Sequence, residues 1–431
     1  MKYDCLIIGG GLSGLTCGIK CAREGLRCAI ISSGMSALHF SSGSIDLLGY
    51  HPDGTVVYQP FEHLGHFINE HPEHPYAKCG IDTVRDAFGF VRGELQQEDL
   101  DLFCNGEDNH FHITAMGTMK PTYLSQRSVF NESLKGAFKK RARIAVLNFS
   151  GFRDFYPDIV VANLRKNSLF SVFEIVSGTI DLPLFRRTNR NPHEFRSIDI
   201  ARIFDSEKYL PRIAVEIEKL SGDALFVAMP AFIGITNYNR IHRRLEELTG
   251  TLIYEIPTLP PSILGMRIDN ALKSRFAALG GVFINGDKII GGEILNNRIE
   301  QLHTTNYYDT GFTADYYVLS TGSFFSGGLL SEYNQIREPI FNLQVYSERD
   351  REQWRSSNFI SGESHPFLEF GVNTDDRLRP ATLQGEMIEN LFCTGALLSH
   401  YNPVKEGSGG GVALSTGYYA ARQIIERKAG Q

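Results

Sequence analysis

Six residues near the N-terminus, Gly9-Gly10-Gly11-Leu12-Ser13-Gly14, restrict this chain more than any other feature. They follow an apolar, β-rich run from Tyr3 to Ile8 and precede a stretch with helical spacing from Leu15 to Arg23. A second apolar run, Leu26 to Ile31, comes next. Strand, glycine turn, helix and strand within about 30 residues is the βαβ unit that holds phosphate-bearing cofactors. Gly9 permits the tight turn, Gly11 lets the backbone approach a phosphate, and Gly14 lets the helix lie against the strand. The helix start adds unpaired N–H groups and a partial positive charge.

The residues after the second strand narrow the choice of cofactor. NAD and FAD sites usually place an acid there to hold the adenosine ribose, but this chain has Ser32 and Ser33, and after Glu24 its next carboxylate is Asp46. No basic residue stands between the end of this strand and His39, so a 2′-phosphate finds no partner and NADP is disfavoured. FMN, with one phosphate and no adenosine half, needs no such acid. Serine hydroxyls can also hold a ribose, which keeps FAD as the alternative.

The chain has 431 residues, room for one large or two ordinary domains. Forty-nine acidic residues against 43 basic ones leave a formal charge of −6, which gives no field to attract nucleic acid or anionic lipid. The longest apolar run, Ala224 to Ile235, is broken by Pro230 and falls short of the roughly 18–20 residues that span a bilayer. Because Tyr3 to Gly14 already reads as folded structure, no removable leader and a cytoplasmic location are expected. The seven cysteines form no Cys-x-x-Cys pair, so neither a disulfide framework nor a metal cluster is expected. Cys17 and Cys21 share a helix face and read as small core residues.

Between about 50 and 235 the pattern breaks into short pieces, among them a strand at Ala145 to Phe149, a helix around Ile200 to Leu220 and a strand at Ala224 to Met229. Ile256 to Gly265, rich in proline, reads as a stiff linker into a helix from about Ile268 to Leu279. Asp315 to Leu319 is an apolar strand ending at Thr321-Gly322, as in two-dinucleotide-type flavoproteins where such a strand returns beside the first glycine turn. Leu391 to Thr394 is a further strand, Gly395 a turn, and Gly407 to Gly411 open a helix from about Val412 to Arg427, whose exposed N–H groups suit a reduced flavin ring. The predicted fold is α/β, a Rossmann-like two-dinucleotide-type flavoprotein domain with an inserted α+β domain. Residues 1–50 and 236–431 form the flavin-binding part, and 51–235 the inserted substrate or capping domain.

Four segments carry a family resemblance over nearly the whole length: Gly9 to Gly14, the run from Ser36 through His39 to Ser44, Met116 to Thr122, and Asn402-Pro403 through Gly411. Through them the chain resembles the B subunit family of the anaerobic glycerol-3-phosphate dehydrogenase, related to fumarate reductase and succinate dehydrogenase flavoproteins. The resemblance implies FMN, an FAD-bearing A subunit and a membrane-associated C subunit with iron–sulfur clusters. It implies oxidation of sn-glycerol 3-phosphate to dihydroxyacetone phosphate, with electrons passed to a quinone pool, and a place at the inner face of the cell membrane through partner subunits. One departure from the wider flavoprotein pattern is Ala396 after Gly395, where an acid often holds the ribityl chain.

The cofactor-binding set expected from these motifs is therefore Gly9, Gly10, Gly11, Leu12, Ser13, Gly14, Ser32, Ser33, Ser41, Ser42, Gly43, Thr321, Gly322, Gly395, Ser408, Gly409, Gly410 and Gly411. Oxidising a secondary alcohol needs a base beside the flavin, for which His39 and His400 are the candidates. Lys120, Thr122, Arg127 and Lys405 are the candidates for substrate contacts, the cations for its phosphate. Two other roles keep the same fold: an electron relay whose substrate chemistry is done by a partner, and a non-catalytic assembly subunit.

Overall fold

The computed structural model describes residues 2–130, 142–181, 194–307, 311–359, 362 and 364–430. Its first sheet has five parallel strands: β1 (Lys2–Ile8), β2 (Cys28–Ser32), β7 (Val282–Asn285), β8 (Thr313–Leu319) and β9 (Leu391–Cys393), in the order β7-β2-β1-β8-β9. β1 sits centrally because its apolar residues, Cys5 to Ile8, are buried on both faces, as a parallel sheet covered by helices requires. Helix α1 (Leu12–Arg23) crosses from β1 to β2 and packs against α4 (Gly409–Ala429), where Gly417 lies against the Ser13 carbonyl.

A second parallel sheet holds β3 (Arg143–Phe149), β4 (Glu174–Ile180), β5 (Phe226–Pro230) and β6 (Leu252–Ile256), in the order β6-β5-β3-β4. Its core is built on aromatic edges, with Phe149 meeting Phe204 and Phe232 at 5.6 Å between ring centroids. The predicted helix over Ile200 to Leu220 is two helices, Ser197–Phe204 and Leu210–Ser221, the second starting with Pro211 in its first turn. Proline lacks the N–H that would continue the first helix.

The two hydrophobic cores divide the chain elsewhere than at 51 and 235. The first core takes in side chains from Val57 to Leu124, including those of α2 (Ile81–Gln96), while the second runs from Ile113 to Ile256. Helix α3 (Ile263–Ala278) joins them: Leu264 packs in the second core, and Ile268, Leu272 and Phe276 in the first. Ser262 caps its start by accepting a hydrogen bond from the Gly265 N–H at 3.0 Å.

Cys17 and Cys21 are fully buried on α1, and their thiols lie with that of Cys5 inside a 4.8 Å group that spacing along the chain did not announce. Among the described residues, no helix is long and apolar enough to cross a membrane.

Candidate flavin-binding site

At the carboxyl ends of β1, β2 and β8 the chain turns away in glycine- and serine-rich loops and leaves a cavity of about 780 Å³. This is where open parallel sheets bind ligands. The opening turn is shaped by backbone contacts. Gly9 has φ 112°, and a side chain there would strike the Ser320 carbonyl. At Gly14 a Cβ would lie 2.1 Å from the Gly9 carbonyl oxygen. Gly11 differs: a Cβ there would meet nothing of the protein within 4 Å, because it would project into open space beside the start of α1.

Two helices begin in the wall. Leu12 and Ser13 of α1 and Gly409, Gly410 and Ala413 of α4 all line the cavity. Neither helix has a side-chain cap, so the first N–H groups of α1 and those of Gly409 and Gly410 in α4 can meet an anion or a carbonyl edge. Four residues of the wall each carry a side-chain polar atom that is buried without a partner among the described residues: Ser13 Oγ, Thr321 Oγ1, Tyr401 Oη and Asp287 Oδ2. Buried polar groups in native proteins are nearly always hydrogen-bonded. The gathering of these residues in the wall of one cavity, which two uncapped helix starts also line, fits a ligand with a phosphate, hydroxyls and a polar ring edge, as a flavin has. Burial, and then nearby Glu406, push the Tyr401 phenol above its ordinary pKa, so it is a hydrogen-bond donor.

Of the predicted cofactor residues, Gly9, Gly10, Gly11, Leu12, Ser13, Ser32, Ser33, Ser41, Thr321, Gly322, Gly395, Gly409 and Gly410 line the cavity. Gly14, Ser42, Gly43, Ser408 and Gly411 do not. Three of these glycines serve packing: besides Gly14, a Cβ at Gly43 would strike Leu264 and one at Gly411 the Tyr76 hydroxyl. Ser408 is buried and donates to Glu406 Oε2 at 2.6 Å, which fixes the loop before α4 instead of facing a ribityl chain. His74 Nε2 and the Asn402 N–H also meet Glu406, so one carboxylate organises that loop.

The predicted chemical residues lie outside the wall. His39 Nε2 is 3.0 Å from Asp269 Oδ2, and that carboxylate also accepts from Lys273. His400 lies against the Tyr346 ring, and its Nε2 is 3.2 Å from Asn373 Oδ1. Burial, and then Lys78, lower its pKa. Lys120 pairs with Asp46, one layer behind the start of α4, where the Gly411 N–H donates to the Asp46 carbonyl. Thr122 is buried on the same hairpin, and Arg127 and Lys405 are exposed. Among the described residues none between Ser41 and Asp287 lines the cavity, so the described part of the segment 51–235 adds nothing to its wall.

Sequence reasoning missed Tyr401, Asp287 and Lys288, and the last two are the charged residues of the wall among the described residues. The signal available for Asp287 was the Asn-Gly-Asp turn after an apolar strand, which gains meaning only once β7 is seen beside β2.

Comparison with known proteins agrees with this geometry. A family model described as an FAD binding domain matches residues 4–412. The B subunit of the anaerobic glycerol-3-phosphate dehydrogenase of Vibrio cholerae serotype O1 is 40% identical over 426 residues, covering 99% of this chain and 97% of the relative. The protein of the same name from Yersinia pestis bv. Antiqua is 40% identical over 430 residues, covering 100% and 99%. Among solved structures, 3-ketosteroid delta1-dehydrogenase from Sterolibacterium denitrificans matches 99% of this chain and 100% of its own at 10% identity and a TM-score of 0.45. The chain carries a flavin-binding domain and belongs to the B subunit family of the anaerobic glycerol-3-phosphate dehydrogenase.

Proposed function

We propose that this chain is the flavin-bearing B subunit of a complex that oxidises sn-glycerol 3-phosphate to dihydroxyacetone phosphate and passes the electrons to quinone. The observation that carries the reading is the joining of near-full-length identity to these relatives with a cavity whose wall holds two helix starts and residues with unpartnered polar atoms. A bound flavin accepts a hydride or passes electrons singly. The chain's own part is to hold it: the N–H groups of Gly11 to Ser13 at the phosphate, Thr321 and Ser13 hydroxyls along the tail, and the start of α4 with Tyr401 at the ring. The partners proposed are an FAD-bearing A subunit and an iron–sulfur C subunit that brings the assembly to the inner face of the membrane.

A second reading, electron relay, draws on one observation: no histidine or arginine lines the cavity among the described residues. A base for the substrate hydroxyl and a guanidinium for its phosphate would then come from a partner subunit, or His39 and His400 would have to turn from their present partners.

One experiment separates the two. The full chain, purified alone with its flavin, is mixed with sn-glycerol 3-phosphate without oxygen. Bleaching places the dehydrogenation in this chain. Colour that persists until the A subunit is added supports the relay, and a colourless chain that takes up no flavin overturns both.

A further inference from the structure

Four of the seven cysteines meet in the layer between α1 and the first sheet. Cys5 of β1 stands opposite Cys28 of β2 in the parallel register. Cys17 and Cys21 lie one turn apart on α1, the helix that joins and covers these strands. The sulfurs of Cys5, Cys17 and Cys21 all lie within 4.8 Å of one another, and the Cys28 thiol is a hydrogen-bond neighbour of those of Cys5 and Cys21. It also donates to the Leu26 carbonyl at 3.4 Å. All four are free thiols and buried.

Free cysteine is a common small core residue, but packing alone does not bring sulfurs from two strands and a helix to one point. Thiolates select soft metal ions such as zinc. A tetrahedral zinc centre with Zn–S bonds of about 2.3 Å sets its sulfurs about 3.8 Å apart, a spacing that the three sulfurs within 4.8 Å of one another accommodate. An iron–sulfur cluster, whose cysteines bind different iron atoms across inorganic sulfide, needs wider separation. Four thiolates with no open position make a structural zinc site, since a catalytic one keeps a place for water or substrate.

We propose that Cys5, Cys17, Cys21 and Cys28 hold a single zinc ion as a closed structural site that ties α1 to β1 and β2. On binding, four S–H bonds break, four zinc–sulfur bonds form and four protons pass to solvent, with no change of oxidation state. Sulfurs this buried are out of reach of solvent in the folded chain, so the ion enters as the chain folds and its binding energy becomes folding energy. The site stands independently of the flavin reading, although both use α1: its first turn lines the cavity and its middle carries Cys17.

The test uses the full chain, produced in zinc-supplemented medium and dialysed against EDTA. Elemental analysis should find about one zinc per chain. Produced with cobalt(II) instead, the chain should show the visible absorption of a tetrahedral cobalt–thiolate centre, at longer wavelengths than the flavin bands. Cys21→Ala should lower the retained zinc at least about tenfold, whereas Cys104→Ala, at a partly exposed cysteine outside the group, should leave it unchanged. Should Cys21→Ala fail to fold, the wild-type chain can be unfolded and refolded in denaturant with zinc or with EDTA present throughout. Its midpoint should be higher with zinc, because an ion that binds only the folded chain stabilises it. A chain without zinc and without the cobalt spectrum, zinc retained in full by Cys21→Ala, or midpoints that coincide in zinc and in EDTA would each overturn the site and leave the four cysteines as core residues.

Discussion

The two parallel sheets of this molecule share an architecture but treat the carboxyl ends of their strands in opposite ways. In the first, the chain leaves β1, β2 and β8 through glycine, serine and threonine around an open cavity, and residues of its wall carry buried polar atoms without partners among the described residues. In the second, polar groups near the ends of β3 and β6 are satisfied from within the protein. Asn148 near the end of β3 donates to the carbonyls of Phe152 and Phe155, at 2.9 and 2.8 Å, and accepts from the Phe149 N–H. Glu255 near the end of β6 is fully buried, yet Arg267, Ser128 and the Ile233 N–H satisfy both its oxygens. Burial alone would raise the Glu255 pKa, but Arg267 and these hydrogen bonds hold it below the usual range. Strand ends in a parallel sheet are thus a place where a ligand can bind, and polar groups left unsatisfied decide whether one does.

The largest effect expected from breaking this contrast lies in the second sheet. Arg267→Met leaves Glu255 as a buried, uncompensated charge and should cost about 3–5 kcal/mol. The double variant with Glu255→Gln should recover much of that loss in chemical denaturation. If the single variant melts like the wild type, the plug contributes little and the contrast between the sheets loses its energetic basis.

Next come the glycines of the open sheet, which should part company. Gly14→Ala forces a contact with the Gly9 carbonyl and should destabilise the apoprotein by about 1–3 kcal/mol besides emptying it of flavin. Gly11→Ala meets no protein atom, so the apoprotein should keep its melting temperature while flavin content falls. Equal melting losses in both would argue against an open phosphate cradle at Gly11.

His112 sharpens the comparison from another direction, because it is a buried polar group of the hairpin behind the cavity that does have a partner, Ser44 Oγ at 3.3 Å. Burial, then Lys120, bring its pKa from 6.5 to about 3. Its folded form therefore stays neutral while the unfolded chain takes up a proton below pH 6.5. Stability attributable to this residue is complete above 6.5 and falls toward acid, at a limiting slope of about 1.4 kcal/mol per pH unit until the folded pKa is reached. Denaturant midpoints between neutral and mildly acid pH should show that slope, and His112→Gln should flatten it.

The smallest effect is the most diagnostic of an unsatisfied site. Tyr401→Phe removes a hydroxyl that is buried without a partner, so the apoprotein should be as stable as before or slightly more so. Flavin affinity should nevertheless weaken by about fivefold, from one lost hydrogen bond of about 1 kcal/mol. Loss of apoprotein stability with no change in flavin binding would mean that this hydroxyl serves the fold.

Much of the first sheet was legible along the chain, since Tyr3 to Ile8, Leu26 to Ile31 and Asp315 to Leu319 lie within two residues of the observed strands. Apolar runs punctuated by glycine carry that signal locally. The helix over Ile200 to Leu220 was misread because its apolar spacing continues across Pro211, and the proline decides the break. The chemical residues fared differently. His39 stands between the wall residues Leu38 and Phe40 yet turns to Asp269, a partner 230 positions away on α3.

Sequence by itself determined the opening βαβ unit, the glycines that shape its turn, and the family, because those depend on local sterics and on residues close together in the chain. Only the tertiary structure decided which polar groups are left without partners, that α3 ties the two cores together, and that an acid beside β2 arrives from β7. Hydrogen-bond satisfaction is a property of neighbours in space, and no spacing along the chain records which donor has found its acceptor.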